Sequence, residues 1–271
     1  MCDLDGCGTH NDMPPIVVAE TDRRAFLIGA ASLPLAAILF HPELAAASAA
    51  RTEAVTFGEA GSGFLAVPNK APAGALVLIH EWWGLNDQIK AVAREFADAG
   101  YLALAVDLYG GKVATSAEEA MAAMKAVDPA KATATLVAAV DYLRGHEKGN
   151  GKVGTVGWCF GGGWSLNASL ATPVDATVVY YGNVARKADD LGKLEGPVLG
   201  HFGTLDQNID KEMVSGFEAE MEKAGKTASL TVHWYEANHA FANPTGARYD
   251  AEDAKLDWDR TLAFFGANLG A

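Results

Sequence analysis

The chain has 271 residues, half of them hydrophobic, and carries 34 acidic against 21 basic side chains for a formal charge of −13. That acidity argues against a nucleic-acid partner, and the length and apolar content suit one α/β domain with a full core. Three cysteines, two of them at positions 2 and 7, exclude a disulfide framework.

The opening segment reads as a unit apart. Thr21-Asp22-Arg23-Arg24-Ala25-Phe26-Leu27 is a twin-arginine pattern, and the apolar stretch from Ala25 to Phe40 leads to the small-x-small site Ala47-Ser48-Ala49. A charged start, a short apolar core and a cleavage site make an export signal for the twin-arginine machinery. The stretch is 16 residues long, interrupted by Gly29 and Pro34, and so is short for a spanning helix; an uncleaved anchor is the alternative. No second apolar stretch of spanning length follows, so a periplasmic protein with no stable membrane insertion after cleavage is expected. Residues 1–49 hold two basic and six acidic side chains, which leaves 222 residues at −9 with Cys159 as their single thiol. Twin-arginine export moves folded proteins, so the site would form before the sulfur meets oxidant.

Residues 52–271 are expected to form a single catalytic domain. Near-continuous apolar runs at Ala75–Ile79, Leu102–Val106, Val153–Gly157, Ala176–Tyr181, Val198–Phe202 and Leu230–Trp234 read as buried, mostly parallel strands. Helical patterns alternate with most of them, at Asp87–Ala99, Ala117–Ala126, Ala130–Arg144, Phe160–Leu170, Asp210–Ala224 and Ala251–Asn268. The alternation predicts a doubly wound sheet with helices on both faces.

The loop after the first apolar strand, His80-Glu81-Trp82-Trp83-Gly84-Leu85-Asn86, precedes a helix beginning near Asp87. Further on, VGTVGWCFGGGWSLNASL at 153–170 runs from a strand pattern through Gly-x-Cys-x-Gly into a small-residue helix. This is a nucleophile elbow with cysteine in place of serine. Gly157 and Gly161 let the backbone close while Cys159 is held outward at the strand tip. The helix that follows aims its free N–H groups and positive dipole end at the sulfur. A buried cysteine in a glycine-rich turn is the bland alternative.

Such a nucleophile needs a base and an orienting acid, which in this architecture follow it in chain order. Asp206 lies just past the strand 197–202, and His239 lies on the loop after the strand 229–235. Taken alone, Asp206 is equally a loop carboxylate capping the helix that starts near Ile209, a task open also to Asn208 or Asp210, and His239 alone is an ordinary loop histidine. Cys159, Asp206 and His239 in that order on three successive strand ends carry more weight than any one of them. His201 and His233 sit inside strand patterns and read as packing residues. In this fold the backbone N–H groups of Trp82 and Phe160 take the oxyanion-hole positions. Glu81 would face the sulfur, or serve as a first-turn acid near a helix N-terminus. Trp82, Trp83, Tyr109 and Phe160 are candidates for an apolar pocket. There is no phosphate loop and no cluster with metal-ligand spacing, so neither cofactor nor metal is expected.

The segments HEWWGLN (80–86), AVDLYGG (105–111), VGWCFGG (156–162), FGTLDQNI (202–209) and YEANHAFANP (235–244) resemble the dienelactone hydrolase family of the α/β-hydrolase superfamily. The resemblance implies a Cys159, His239, Asp206 triad that opens a small ester or lactone through a thioester acyl-enzyme, with Glu81 paired to the cysteine at rest. The two arginines that hold the dienelactone carboxylate in family enzymes correspond to Gly111 and Asn243 here, with Lys112 and Arg248 nearby but off the matched positions. A preference for neutral substrates is the expectation that follows. A non-catalytic periplasmic binding or scaffold protein on the same fold is the competing reading, which the complete triad disfavours. A thiol redox protein lacks its resolving cysteine.

Overall fold

A computed structural model describes residues 50–270; the export signal expected in residues 1–49 lies outside the described residues. Eight strands form one sheet: β1 (Arg51–Phe57), β2 (Gly61–Val67), β3 (Ala73–Ile79), β4 (Leu102–Val106), β5 (Gly149–Trp158), β6 (Ala176–Tyr180), β7 (Val198–Gly203) and β8 (Leu230–Tyr235), in the order β1-β2-β4-β3-β5-β6-β7-β8. The pairs β1/β2 and β2/β4 are antiparallel, and every other neighbouring pair is parallel. The helices are α1 (Asp87–Asp98), α2 (Ala117–Ala126), α3 (Pro129–Arg144), α4 (Phe160–Ala171), α5 (Ala188–Leu191), α6 (Lys211–Lys223) and α7 (Ala251–Leu269). The six strands and six helices expected from sequence are all present. The hairpin β1–β2 and the short α5 were not foreseen.

Alternation along the central strands decides which helix covers which face. Leu76 and Leu78 point with Phe96 of α1 and Phe265 of α7 into one core cluster, whereas Ala75, Val77 and Ile79 point with Leu136 and Leu143 of α3 into another. A third cluster joins Leu166 of α4 to Val179, Phe202 and Phe217 of α6. All five leucines and Ile79 are fully buried, each worth about 1.5 to 3 kcal/mol relative to exposure. Side-chain caps fix the helix starts: Asn86 accepts from the Ile89 N–H, and Asp210 from the Met213 N–H at 2.8 Å.

The chain leaves β3 for β4 on one side and then crosses to β5 on the other, so the switch in strand order falls at the β3–β5 crevice. Ligands bind outside the carboxyl ends of strands at such a point. Gly157 of β5 is level with Ile79 of β3 and Val179 of β6, and Gly203 of β7 is level with Tyr235 of β8. The loops carrying residues 80–86, 159, 181–187, 204–209 and 236–250 therefore emerge along one sheet edge.

Candidate active site

The elbow forms because its glycines leave no room for anything larger. A Cβ on Gly157 would overlap the carbonyl of Gly161, and a Cβ on Gly161 would overlap the carbonyl of Ile79. Between them Cys159 has φ 55° and ψ −116° as the residue preceding α4, a conformation that L-residues hold only where the surroundings enforce it. Its N–H donates to the Tyr180 carbonyl at 3.0 Å, and its own carbonyl accepts from Gly162 N–H at 3.0 Å, so both sides of the turn are tied down. The thiol is half-buried and belongs to the single cysteine among the described residues, which forms no disulfide. Phe160 is the first residue of α4, where an N–H finds no acceptor within the helix.

Of the two tasks the sequence left open, Asp206 takes the pairing with His239 and not the cap of α6; its other oxygen holds the turn before that helix. Its Oδ1 accepts from the Asn208 and Ile209 N–H groups at 2.8 and 3.1 Å, and its Oδ2 lies 2.6 Å from His239 Nδ1. The cap of α6 is Asp210. Burial pushes the Asp206 carboxyl up, but the hydrogen bond and charge of His239 and the two amides outweigh it, so its pKa lies below the usual value. An ionised carboxylate can only accept, which assigns the imidazole proton to Nδ1 and leaves Nε2 with its lone pair. His239 Nε2 is buried and has no hydrogen-bond partner among the described residues.

Two cavities meet at Cys159, His239 and Trp82. The larger, about 270 Å³, is walled further by Phe160, Trp164, Asn167, Tyr181, Asn183 and Arg186. The smaller, about 70 Å³, is bounded by Glu81, Trp83, Asn243 and Arg248. Glu81 is buried at 4% exposure, accepting from Asn243 Nδ2 at 2.6 Å and from the Tyr181 hydroxyl at 3.3 Å. Burial raises its pKa, opposed by Asn243, by the charge of His239, by Tyr181 and by Arg248. Asn243, at one of the two family arginine positions and a candidate pocket residue, lines the smaller cavity and donates to Glu81.

Tyr109 lines neither cavity. Its ring stands edge-on to His80 at 4.7 Å and tilted against Phe160 at 5.7 Å, supporting the wall from behind. His80 is fully buried and bridges two loops, with Nδ1 2.5 Å from the Glu81 carbonyl and Nε2 accepting from Leu108 N–H at 3.3 Å. Desolvation lowers its pKa and keeps it neutral. Gly111 has φ 86° with open space around it, and its N–H donates to Asp107; an arginine there would meet backbone strain and no steric block.

Among the cavity residues not singled out in the sequence are Asn167 on α4, and Tyr181, Asn183 and Arg186 on the loop after β6. Tyr181 has φ 36° and faces His239 with ring centroids 5.2 Å apart. The strand-end reasoning that found Asp206 and His239 reaches this loop too, since β6 ends between the nucleophile strand and the acid strand.

The profile of the dienelactone hydrolase family matches residues 62–269. The chain is 31% identical over 211 residues to a carboxymethylenebutenolidase of Pseudomonas putida, covering 73% of this chain and 87% of that protein. It is 26% identical over 209 residues to carboxymethylenebutenolidase 1 of Cupriavidus pinatubonensis, covering 73% and 88%. Among solved structures, a dienelactone hydrolase-like promiscuous phosphotriesterase from metagenomic libraries superposes with a TM-score of 0.75 at 26% identity, covering 82% of this chain and all of the other. With this sheet, this elbow and these relatives, the chain belongs to the dienelactone hydrolase family, hydrolases of ester or lactone bonds on the α/β-hydrolase fold.

Proposed function

We propose that the protein cleaves small esters or lactones with Cys159 as nucleophile and a thioester as intermediate. The observation that carries this reading is the pairing of His239 Nδ1 with Asp206 at 2.6 Å while Nε2 stays unpartnered in the cavities it shares with Cys159. His239 accepts the thiol proton at Nε2, and the imidazolium is stabilised by the Asp206 carboxylate. The thiolate, favoured by the N-terminus of α4, adds to the ester carbonyl. The oxyanion is held by the N–H groups of Phe160 and Trp82. Collapse expels the alcohol oxygen, which takes the proton from His239 and leaves the acyl group on the sulfur. A water molecule, deprotonated by the same Nε2, attacks the thioester, and the carboxylic acid leaves as the thiol is restored. Glu81, raised in pKa beside this centre, holds Asn243 and Tyr181 in place.

Iodoacetamide should label Cys159 in the native protein, with activity on an activated aryl ester lost in proportion. Labelling only after denaturation, or activity surviving in Cys159→Ala, would overturn this reading. The twin-arginine pair and the small-x-small site support a periplasmic location reached by folded export.

A further inference from the structure

Resting on that reading, we infer that Arg186 holds a carboxylate of the substrate, so that the larger cavity takes an ester or lactone bearing an anionic group on the side away from Gly111 and Asn243. Arg186 is half-buried and shares the cavity wall with Cys159, Asn167 and Asn183. Every acceptor around its guanidinium is neutral. Nε and Nη2 donate to Asn167 Oδ1 at 3.1 and 2.7 Å, and Nη1 donates to the Ala185 carbonyl at 2.9 Å. No carboxylate forms an ion pair with it among the described residues, and the acid that influences it, Asp190, is already bonded to Lys193 at 2.7 Å. Desolvation lowers the Arg186 pKa, with Asp190 the opposing influence.

A half-buried cation with neutral partners has paid desolvation without the ion pair that would offset it. The two remaining contacts are long, both 3.4 Å, one from Nη1 to Asn183 Oδ1 and one from Nη2 to the Gly163 carbonyl. These two weak contacts take one donor on each terminal nitrogen, and a carboxylate that displaces both would engage that pair bidentately. Neither old partner would be orphaned. Asn183 Oδ1 also accepts from Ala185 N–H at 3.0 Å, and the Gly163 carbonyl, inside α4, has its helical donor four residues on. The double contact to Asn167 holds the guanidinium plane in advance, so little ordering is lost when an anion arrives. This reverses the substrate preference expected from Gly111 and Asn243 alone, because the cation enters from a different wall.

The test compares acid with neutral ester in two matched pairs: 4-acetoxybenzoate against its methyl ester, with the charge on the alcohol side, and monophenyl adipate against phenyl methyl adipate, with the charge on the acyl side. The ratio of kcat/KM, acid over neutral, should fall at least tenfold in Arg186→Gln for one pair, and Arg186→Lys should retain part of it. In the unmutated protein benzoate should inhibit neutral-ester cleavage competitively, and more strongly than benzamide does, a readout that needs no variant to fold. Unchanged ratios in Arg186→Gln for both pairs, equal inhibition by benzoate and benzamide, or a ratio that moves only with Arg248→Gln would overturn the assignment. Absence of any ester cleavage by the unmutated protein would instead refute the hydrolase chemistry on which it rests.

Discussion

Replacing Asp206 by asparagine separates the two tasks of that carboxylate. One oxygen serves two backbone N–H groups, from Asn208 and Ile209, and the other serves His239. The asparagine amide has a single oxygen, and its orientation follows from counting donors. Facing the turn, that oxygen keeps two hydrogen bonds, at about 1 kcal/mol each, whereas facing His239 it keeps one and sets the NH₂ against two N–H donors. The amide therefore turns its NH₂ to the imidazole. Nδ1 must then accept, the ring proton moves to Nε2, and the base that would take the thiol proton is blocked. In a serine triad the equivalent change lowers kcat by roughly 10⁴, and a loss of about a thousandfold or more is expected here. Folding should lose only the charged hydrogen bond, about 1.5 to 3 kcal/mol. Asp206→Ala would also strand both turn amides and should melt lower still. Steady-state hydrolysis of 4-nitrophenyl acetate, with thermal melts of both variants, reads the two effects separately. Asp206→Asn within tenfold of the unmutated rate would refute the orienting role.

Gly157→Ala should cost about 3 kcal/mol or prevent folding, because its Cβ would overlap the Gly161 backbone. Gly216→Ala, exposed in α6 with nothing near the new methyl group, should instead stabilise by roughly 0.5 to 1 kcal/mol; chemical denaturation of the two variants compares them, and equal effects would refute the steric reading. Asp257 is buried with Oδ2 unpartnered, and desolvation raises its pKa well above the ordinary value. The folded chain thus holds a proton that the unfolded chain releases near pH 4. The stability this contributes is fully present below that pH and is lost as pH rises through the raised value. Melting curves across pH should show Asp257→Asn gaining on the unmutated protein as pH increases, and a constant gap would contradict the assignment. For export, Arg23→Lys with Arg24→Lys should leave the precursor in the cytoplasm by fractionation, since the pair is read by a receptor; unchanged periplasmic yield would refute it.

What was legible in the sequence was whatever local chemistry writes locally. Strands β3 to β7 sit inside the sheet between helices, so burial on both faces leaves continuous apolar runs, while the edge strand β8 alternates in LTVHWY. Asn86, Ser116, Asp128, Asp210 and Asp250 mark helix starts by capping. The edge strand β1, RTEAVTF, is exposed along most of its length, and β2 opens on GSG, which leaves only the short run FLAV. Their pairing depends on β4, which is distant in sequence. Cys159, Asp206 and His239 could be placed at one end of the sheet because each follows a strand in a fixed order. Arg186 and Asn167 meet only when α4 packs beside the loop after β6; Asn167 falls within the helical pattern 160–170, but that pattern does not say which loop the residue faces. Tyr109 illustrates the converse, since a loop aromatic beside the site spends its ring on His80 and Phe160 rather than on the cavity.

The most direct test of Cys159 as nucleophile is to trap the acyl-enzyme. The protein is mixed with excess 4-nitrophenyl acetate, quenched in acid within the first turnover and analysed by intact and peptide mass spectrometry. One acetyl group per chain should appear on the peptide containing Cys159, labile to hydroxylamine as a thioester is, and it should be absent from Cys159→Ala. An acyl group on another residue, or turnover by the alanine variant with its label intact elsewhere, would contradict the cysteine mechanism.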